Sequence, residues 1–263
     1  DYFFQADHAR DLAAAGLDVY AIDLRRYGRS IRPHQVPGLV RDLADYDEEL
    51  LAALALIRSE GHRQIVLLGH STGGLIATLF AHHHPGAVDL LVLNSPWYDI
   101  NDTPLKRTLS GPLAAVAAWR NPDAIISRLS RNYTASIHAS TGGAWNFDLE
   151  WKPLDGFPVR ASWLSAIRRA QYTVAGGLDL RLPVLMCTSS RSGGASGTRV
   201  TPAQLRSTDT VLDVRHMWVA VGKLGPDVTL RTVPGGLHDL ALSAPEPRAD
   251  YTRTVLDWIE RRL

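Results

Sequence analysis

Several things are scarce in this chain, and each scarcity excludes a class of function. Among 263 residues there is one cysteine, Cys187, which rules out an internal disulfide framework. It falls in the apolar run 184–188 and reads as a buried core thiol. The formal net charge is only +1, so nothing draws the chain as a whole to nucleic acid or to an anionic membrane. No apolar run approaches the roughly 18 residues of a membrane span. There is no H-E-x-x-H, no P-loop and no G-x-G-x-x-G, so the motifs call for no metal and no organic cofactor. Internal repeats and low-complexity segments are absent. The chain opens at Asp1, without methionine or a signal-like stretch. A lone cysteine fits a cytoplasmic location.

What is present centres on residues 64–81. Gln64 to Leu68 read as a buried strand, Gly69-His70-Ser71-Thr72-Gly73 comes next, and Leu75 to Ala81 carry a helical pattern. This is G-x-S-x-G in its required setting of strand, sharp turn and helix, a nucleophile elbow. The tight turn demands small residues on either side of the serine and lifts the Ser71 hydroxyl to the N-terminus of the next helix. There the free N–H groups favour developing negative charge. By composition alone the five-residue pattern turns up by chance in roughly one such chain in ten, so its neighbours carry the weight.

Those neighbours predict a doubly covered parallel sheet. Residues 17–24, 64–68, 88–93, 182–188 and 228–233 read as buried strands with unalternated apolar runs. Helices are predicted over 2–15, 39–59, 75–84, 210–224 and 248–263. The rhythm breaks over residues 96–181, which hold five of the seven tryptophans and short helical pieces at 112–119, 124–132 and 158–172. The expected organisation is a core of 1–95 and 182–263 with 96–181 inserted as a cap. Most of the cap aromatics should form its own core. Trp97, Trp145 and Trp163, with His70, are the expected substrate-facing residues, because a cap that excludes water from an acyl site needs an apolar underside.

A serine needs a base. Of ten histidines, His238 is best placed, in the glycine-rich loop 234–239 between the last strand and the last helix. His70 should point away from the Ser71 hydroxyl. His82, His83 and His84 cannot chelate one ion, since consecutive helical residues point about 100° apart; they read as a helix C-terminus. The third member should be an acid after the strand 182–188. The long stretch 189–207 intervenes, and Asp209 and Asp213 both qualify. An oxyanion hole needs two N–H donors. The residue after the nucleophile, Thr72, supplies one, and the second should come from a turn missing from this sequence or from its very start, such as Tyr2.

Asp23-Leu24-Arg25-Arg26-Tyr27-Gly28-Arg29-Ser30, the elbow, the aspartate segment and the His238 loop together resemble the α/β-hydrolases of the serine aminopeptidase-like, monoacylglycerol lipase and lysophospholipase group. The resemblance implies an α/β-hydrolase fold with an inserted helical cap. It favours Asp209 over Asp213, because the group's acid segment has a catalytic Asp four residues before a non-catalytic one. It implies a serine hydrolase acting on carboxylic esters, monoacylglycerol-like or lysophospholipid-like, through the catalytic triad Ser71, His238 and Asp209. Alternatives with the same triad are a peptidase, a thioesterase or an acyltransferase; a catalytically silent binding scaffold is the alternative of another class. The expected partner is a small-molecule acyl ester, with no nucleic acid and no transmembrane segment. Three departures stand out. Arg26 replaces a glycine usual in that loop, the stretch 189–207 is long, and the group's first strands and His-Gly oxyanion turn are absent. Residues 1–5 resemble the segment that normally comes directly after that turn, so the expectation is an N-terminally incomplete chain.

Overall fold

The computed structural model describes residues 1–128, 130–194 and 199–263. In chain order its elements are α1 (Ala6–Ala14), α2 (Asp47–Ser59), β1 (Val66–His70), α3 (Thr72–His83), β2 (Leu90–Asn94), α4 (Pro104–Arg120), β3 (Ile125–Ser127), α5 (Arg131–Ile137), β4 (Val159–Arg160), α6 (Ala161–Gly176), β5 (Val184–Ser189), α7 (Pro202–Leu205), α8 (Val214–Leu224), β6 (Val228–Val233) and α9 (Pro245–Glu260). Four strands make one parallel sheet in the order β1-β2-β5-β6. β3 and β4 form a small antiparallel pair apart from it.

The two central strands, β2 and β5, are buried on both faces, as unalternated strands require. Leu91, Leu93, Val184 and Met186 pack upward against Leu54, Phe80 and Met217 from α2, α3 and α8. Leu90, Val92, Leu185 and Cys187 pack downward against Leu12 of α1 and Tyr251, Val255 and Trp258 of α9. Central α3 is apolar around most of its circumference, with Gly74 through Ala81 all buried. Cys187 is fully buried, and burial pushes its thiol up to about 12.

Two predicted elements take another form, and two predicted helices begin late. Residues 17–24 form no strand: among the described residues they join no ladder, and Val19, Tyr20 and Ile22 are exposed. A strand needs a neighbour, and among the described residues β1 pairs only with β2. The expected helix at 124–132 is instead β3 followed by the start of α5, with residue 129 outside the described residues. Asn121 accepts the Ala124 N–H, and Ala161 N donates to the Ala124 carbonyl, which ties this stretch to β4. The predicted helix 39–59 begins as an α-helix only at Asp47, after a 3-10 turn over Leu43–Tyr46. The predicted helix 210–224 begins at Val214, where the Asp213 side chain caps it by accepting from Arg215 N. Part of the long stretch 189–207 lies outside the described residues.

The aromatics of residues 96–181 join clusters shared with the rest of the molecule. Trp97 and Trp163 pack against the upper core. Tyr133, Phe147, Trp145 and Trp151 gather with Tyr2, Phe4, Leu237 and Leu242 in a third cluster that links the chain start, this excursion and the His238 loop. The exception is α4. It leans on α6 through small residues, Gly111 and Ala114, and a Cβ on Gly111 would strike Tyr172. Its large apolar residues Leu105, Leu109, Leu113, Val116 and Trp119 face outward, Trp119 at 83% exposure. No helix among the described residues is long and apolar enough to cross a membrane.

Candidate active site

Three loops leave the carboxyl ends of β1, β5 and β6 and meet over the sheet. At the end of β1, Ser71 has φ +53° and ψ −117°, the strained turn that an elbow demands. Its N–H donates to the Asn94 carbonyl at 3.0 Å, and its carbonyl accepts from Trp97 N at 3.0 Å. A Cβ on Gly69 would lie 2.5 Å from the Gly73 carbonyl, and one on Gly74 would lie 2.9 Å from Pro96. A Cβ on Gly73 meets nothing within 4 Å. The steric demand therefore falls on Gly69 and Gly74 rather than on both glycines of the motif, because position 73 looks into open space.

After β5 the chain turns back on itself. Asp209 N donates to the Arg191 carbonyl at 3.0 Å, and the Asp209 carbonyl accepts from Gly193 N at 2.6 Å. This short ladder sets the Asp209 carboxylate, which is fully buried. Its Oδ1 accepts from Val211 N at 2.9 Å and Leu212 N at 2.8 Å. Its Oδ2 lies 2.9 Å from His238 Nδ1. A carboxylate only accepts, so Nδ1 carries the proton and Nε2 is left with its lone pair. That lone pair faces Ser71 Oγ at 3.0 Å. The structure thus joins Asp209, His238 and Ser71 in one hydrogen-bonded chain. Asp213 is elsewhere: it caps α8 and pairs with Arg215 and Ser192.

The other expected residues divide. Thr72 opens α3, where first-turn N–H groups have no partner within the helix. His70, Trp97, Trp163 and Tyr2 line the same cavity as Ser71 and His238, a space of about 1030 Å³ also walled by Ile137 and Leu212. The Tyr2 side chain is an anchor: its hydroxyl accepts from Asp148 N at 2.7 Å and its ring packs edge-on to Trp151. Trp145 does not line the cavity. Its Nε1 donates to the Leu242 carbonyl at 2.8 Å and its ring lies under Arg248, so it braces the segment after His238. Sequence reasoning placed it by type, but the turn at Gly143 points it sideways, where Trp145 N donates to the Ile137 carbonyl and the Trp145 carbonyl accepts from Ala139 N. His83 and His84 both contact Asp47 Oδ2, at 3.1 and 3.0 Å, and no cluster among the described residues could hold a metal.

Sequence reasoning missed the residues that hold His238 in place. The Tyr133 ring meets the His238 ring edge-on at 5.6 Å, and its hydroxyl accepts from Asp239 N at 3.0 Å. Leu237 N donates to Ser243 Oγ at 2.9 Å. Asn94, at the end of β2, holds Asp239 and Leu240 with its side chain. The available signal was an acid next to a candidate base and a polar residue closing an apolar strand.

Residues 3–192 match the family model described as serine aminopeptidase, S33, which is more than half of the chain. The chain belongs to this hydrolase family. The match holds the elbow and stops before Asp209 and His238. Lysophospholipase L2 of Escherichia coli K12 is 39% identical over 104 residues, 38% of this chain and 30% of that protein. The human (lyso)-N-acylphosphatidylethanolamine lipase is 30% identical over 136 residues, 51% of this chain and 36% of that protein. The chain thus aligns with about a third of the length of these relatives. Among solved structures, the monoacylglycerol lipase of Paleococcus ferrophilus superposes with a TM-score of 0.66 at 18% identity, over 98% of this chain and 88% of that one. At that identity the likeness speaks for the fold alone, and the fold is that of the α/β-hydrolases.

Proposed function

We propose that this chain carries the centre of a serine hydrolase that cleaves carboxylic esters of the monoacylglycerol or lysophospholipid kind. The hydrogen-bonded chain Asp209–His238–Ser71 is the observation that carries the reading. Ser71 Oγ attacks the ester carbonyl carbon while His238 Nε2 takes its proton. Asp209 holds the imidazole in the Nδ1–H form and stabilises the imidazolium. Charge on the carbonyl oxygen is met by Thr72 N–H, and the Tyr2 backbone is our candidate for the second donor. His238 then returns the proton to the departing alcohol, leaving an acyl group on Ser71. Water, deprotonated by His238, releases the acid.

Residues 96–181 act in this reading as a cap whose Trp97 and Trp163, with rings 5.7 Å apart, form an apolar wall for the acyl chain. The outward row on α4 fits the same substrate class. That helix carries Lys106, Arg107 and Arg120 and no acidic residue, the composition of a helix that meets a lipid surface. The names of the relatives support a lipid ester as well.

The test is product analysis. A monoacylglycerol, a lysophospholipid and a short p-nitrophenyl ester are each incubated with the chain and with Ser71→Ala, and products are read by mass spectrometry. Free acid from at least one ester, absent with Ser71→Ala, is expected. Turnover retained in Ser71→Ala overturns the nucleophile assignment, and acyl groups appearing on an added alcohol instead of water make the protein a transferase.

A further inference from the structure

A second acid and a second histidine lie against the first pair. His70 precedes Ser71, and its ring sits 4.8 Å from that of His238, tilted by 57°. His70 Nδ1 is 2.9 Å from the Asn94 carbonyl, which only accepts, so Nδ1 carries the proton. The Nε2 lone pair is thereby turned toward Asp239 Oδ2 at 3.8 Å. Asp239 is 2% exposed and immediately follows His238. Its Oδ1 accepts from Asn94 Nδ2 at 2.8 Å and Ala241 N at 3.1 Å; its Oδ2 accepts from Gln5 Nε2 at 2.8 Å. Among the described residues it touches no lysine or arginine.

A buried carboxylate is costly unless its charge is used or paired. Capping the 3-10 turn Leu240–Leu242 needs only Oδ1, and a serine or asparagine would do it. Oδ2 is held toward His70 by a glutamine brought from far along the chain. The nearest group that becomes cationic during ester cleavage is His238, one residue away. We propose that Asp239 is a positioning residue that acts through His238. It fixes the pose of the base, and its charge favours the imidazolium formed when Ser71 loses its proton. The proposal rests on the serine hydrolase reading above.

Charge alignment supports it. Burial pushes the Asp239 carboxyl up, but the Gln5 and Asn94 amides and the charge that His70 and His238 carry when protonated outweigh burial, and it lies below the usual carboxylate range. The groups that face His238 are Asp209, Ser71, Tyr133, His70 and Asp239, and Lys152 acts on Asp239 from across the cavity. Among the described residues, Asp209 is the carboxylate that accepts a hydrogen bond from the His238 ring; Asp239 adds the second negative charge.

The experiment compares wild type, Asp239→Asn and Asp239→Ser. It follows the rate of Ser71 labelling by a fluorophosphonate and kcat and KM for a short soluble ester, each from pH 4.5 to 9, with Tm recorded alongside. Both substitutions keep a cap and remove the charge. The expected result is a roughly tenfold loss in labelling rate and kcat with KM little changed. The acid limb of both profiles should move down by about one pH unit, since a tenfold loss of imidazolium stability equals that shift. A lower Tm with unmoved acid limbs makes Asp239 structural only and overturns the proposal, as do wild-type rates in either variant. If Ser71 of the wild type does not label at any pH, the hydrolase reading itself fails and this proposal falls with it.

Discussion

Two acid–histidine pairs sit side by side over the ends of β1 and β6, and they are built for different ends. In Asp209–His238 the acid touches Nδ1 at 2.9 Å and the free nitrogen faces the serine. In Asp239–His70 the nearest approach is 3.8 Å, and the proton-bearing nitrogen is spent on a backbone carbonyl. Burial takes the His70 imidazole down to about 4, with Asp239 acting against it, so His70 stays neutral where His238 must accept a proton. The residue types are the same. What separates a base from a bystander is where the second nitrogen points, and that is set by backbone: the elbow for His70, the loop after β6 for His238.

The largest effect that would break this contrast belongs to the first pair. Ser71→Ala should lower kcat by a factor on the order of 10⁴ or more. Asp209→Asn should cost on the order of 10³–10⁴, because asparagine donates where the carboxylate accepted and selects the wrong imidazole tautomer. The two changes together should cost little beyond the larger, since the residues act as a unit; additive losses would separate Asp209 from Ser71. Asp239→Asn comes next, at about tenfold with its displaced acid limb.

The smallest effect concerns His70 and stability. The unfolded chain takes up a proton on this histidine near pH 6.5, the folded chain only near 4. Between those values the unfolded state holds more protons, so stability rises with pH and is lost as pH falls through that window. His8 and His216, also lowered by burial, contribute with the same sign. His70→Gln should therefore lose less Tm between pH 7 and 5 than wild type does, by a few degrees, at about 2–4 °C per kcal/mol for a chain of this size. Equal losses would mean that His70 is not held neutral.

How much of the fold and site was legible in the sequence depends on locality. The elbow, the strands at β2, β5 and β6 and the loop of His238 are local patterns with strong chemistry, and the structure forms each within a few residues of expectation. Asp209 and His238 are 29 residues apart, and only the family spacing favoured Asp209 over Asp213. Residues 17–24 misled because strand propensity says nothing about a partner, and none among the described residues pairs with them. Trp145 misled because residue type does not fix direction around a glycine turn. Gln5, Asn94, Tyr133 and Asp239 come from four separate segments; no spacing rule joins them, and only the fold does.

An activated Ser71 is the one property on which the rest depends. Fluorophosphonate labelling of the full chain, read by intact mass and peptide mapping, tests it most directly. A single adduct on the peptide that contains Ser71, absent in Ser71→Ala and strongly slowed in Asp209→Asn, is the predicted result. No adduct, or an adduct on another residue at the same rate in Ser71→Ala, would contradict it and leave the hydrogen-bonded chain without a catalytic role.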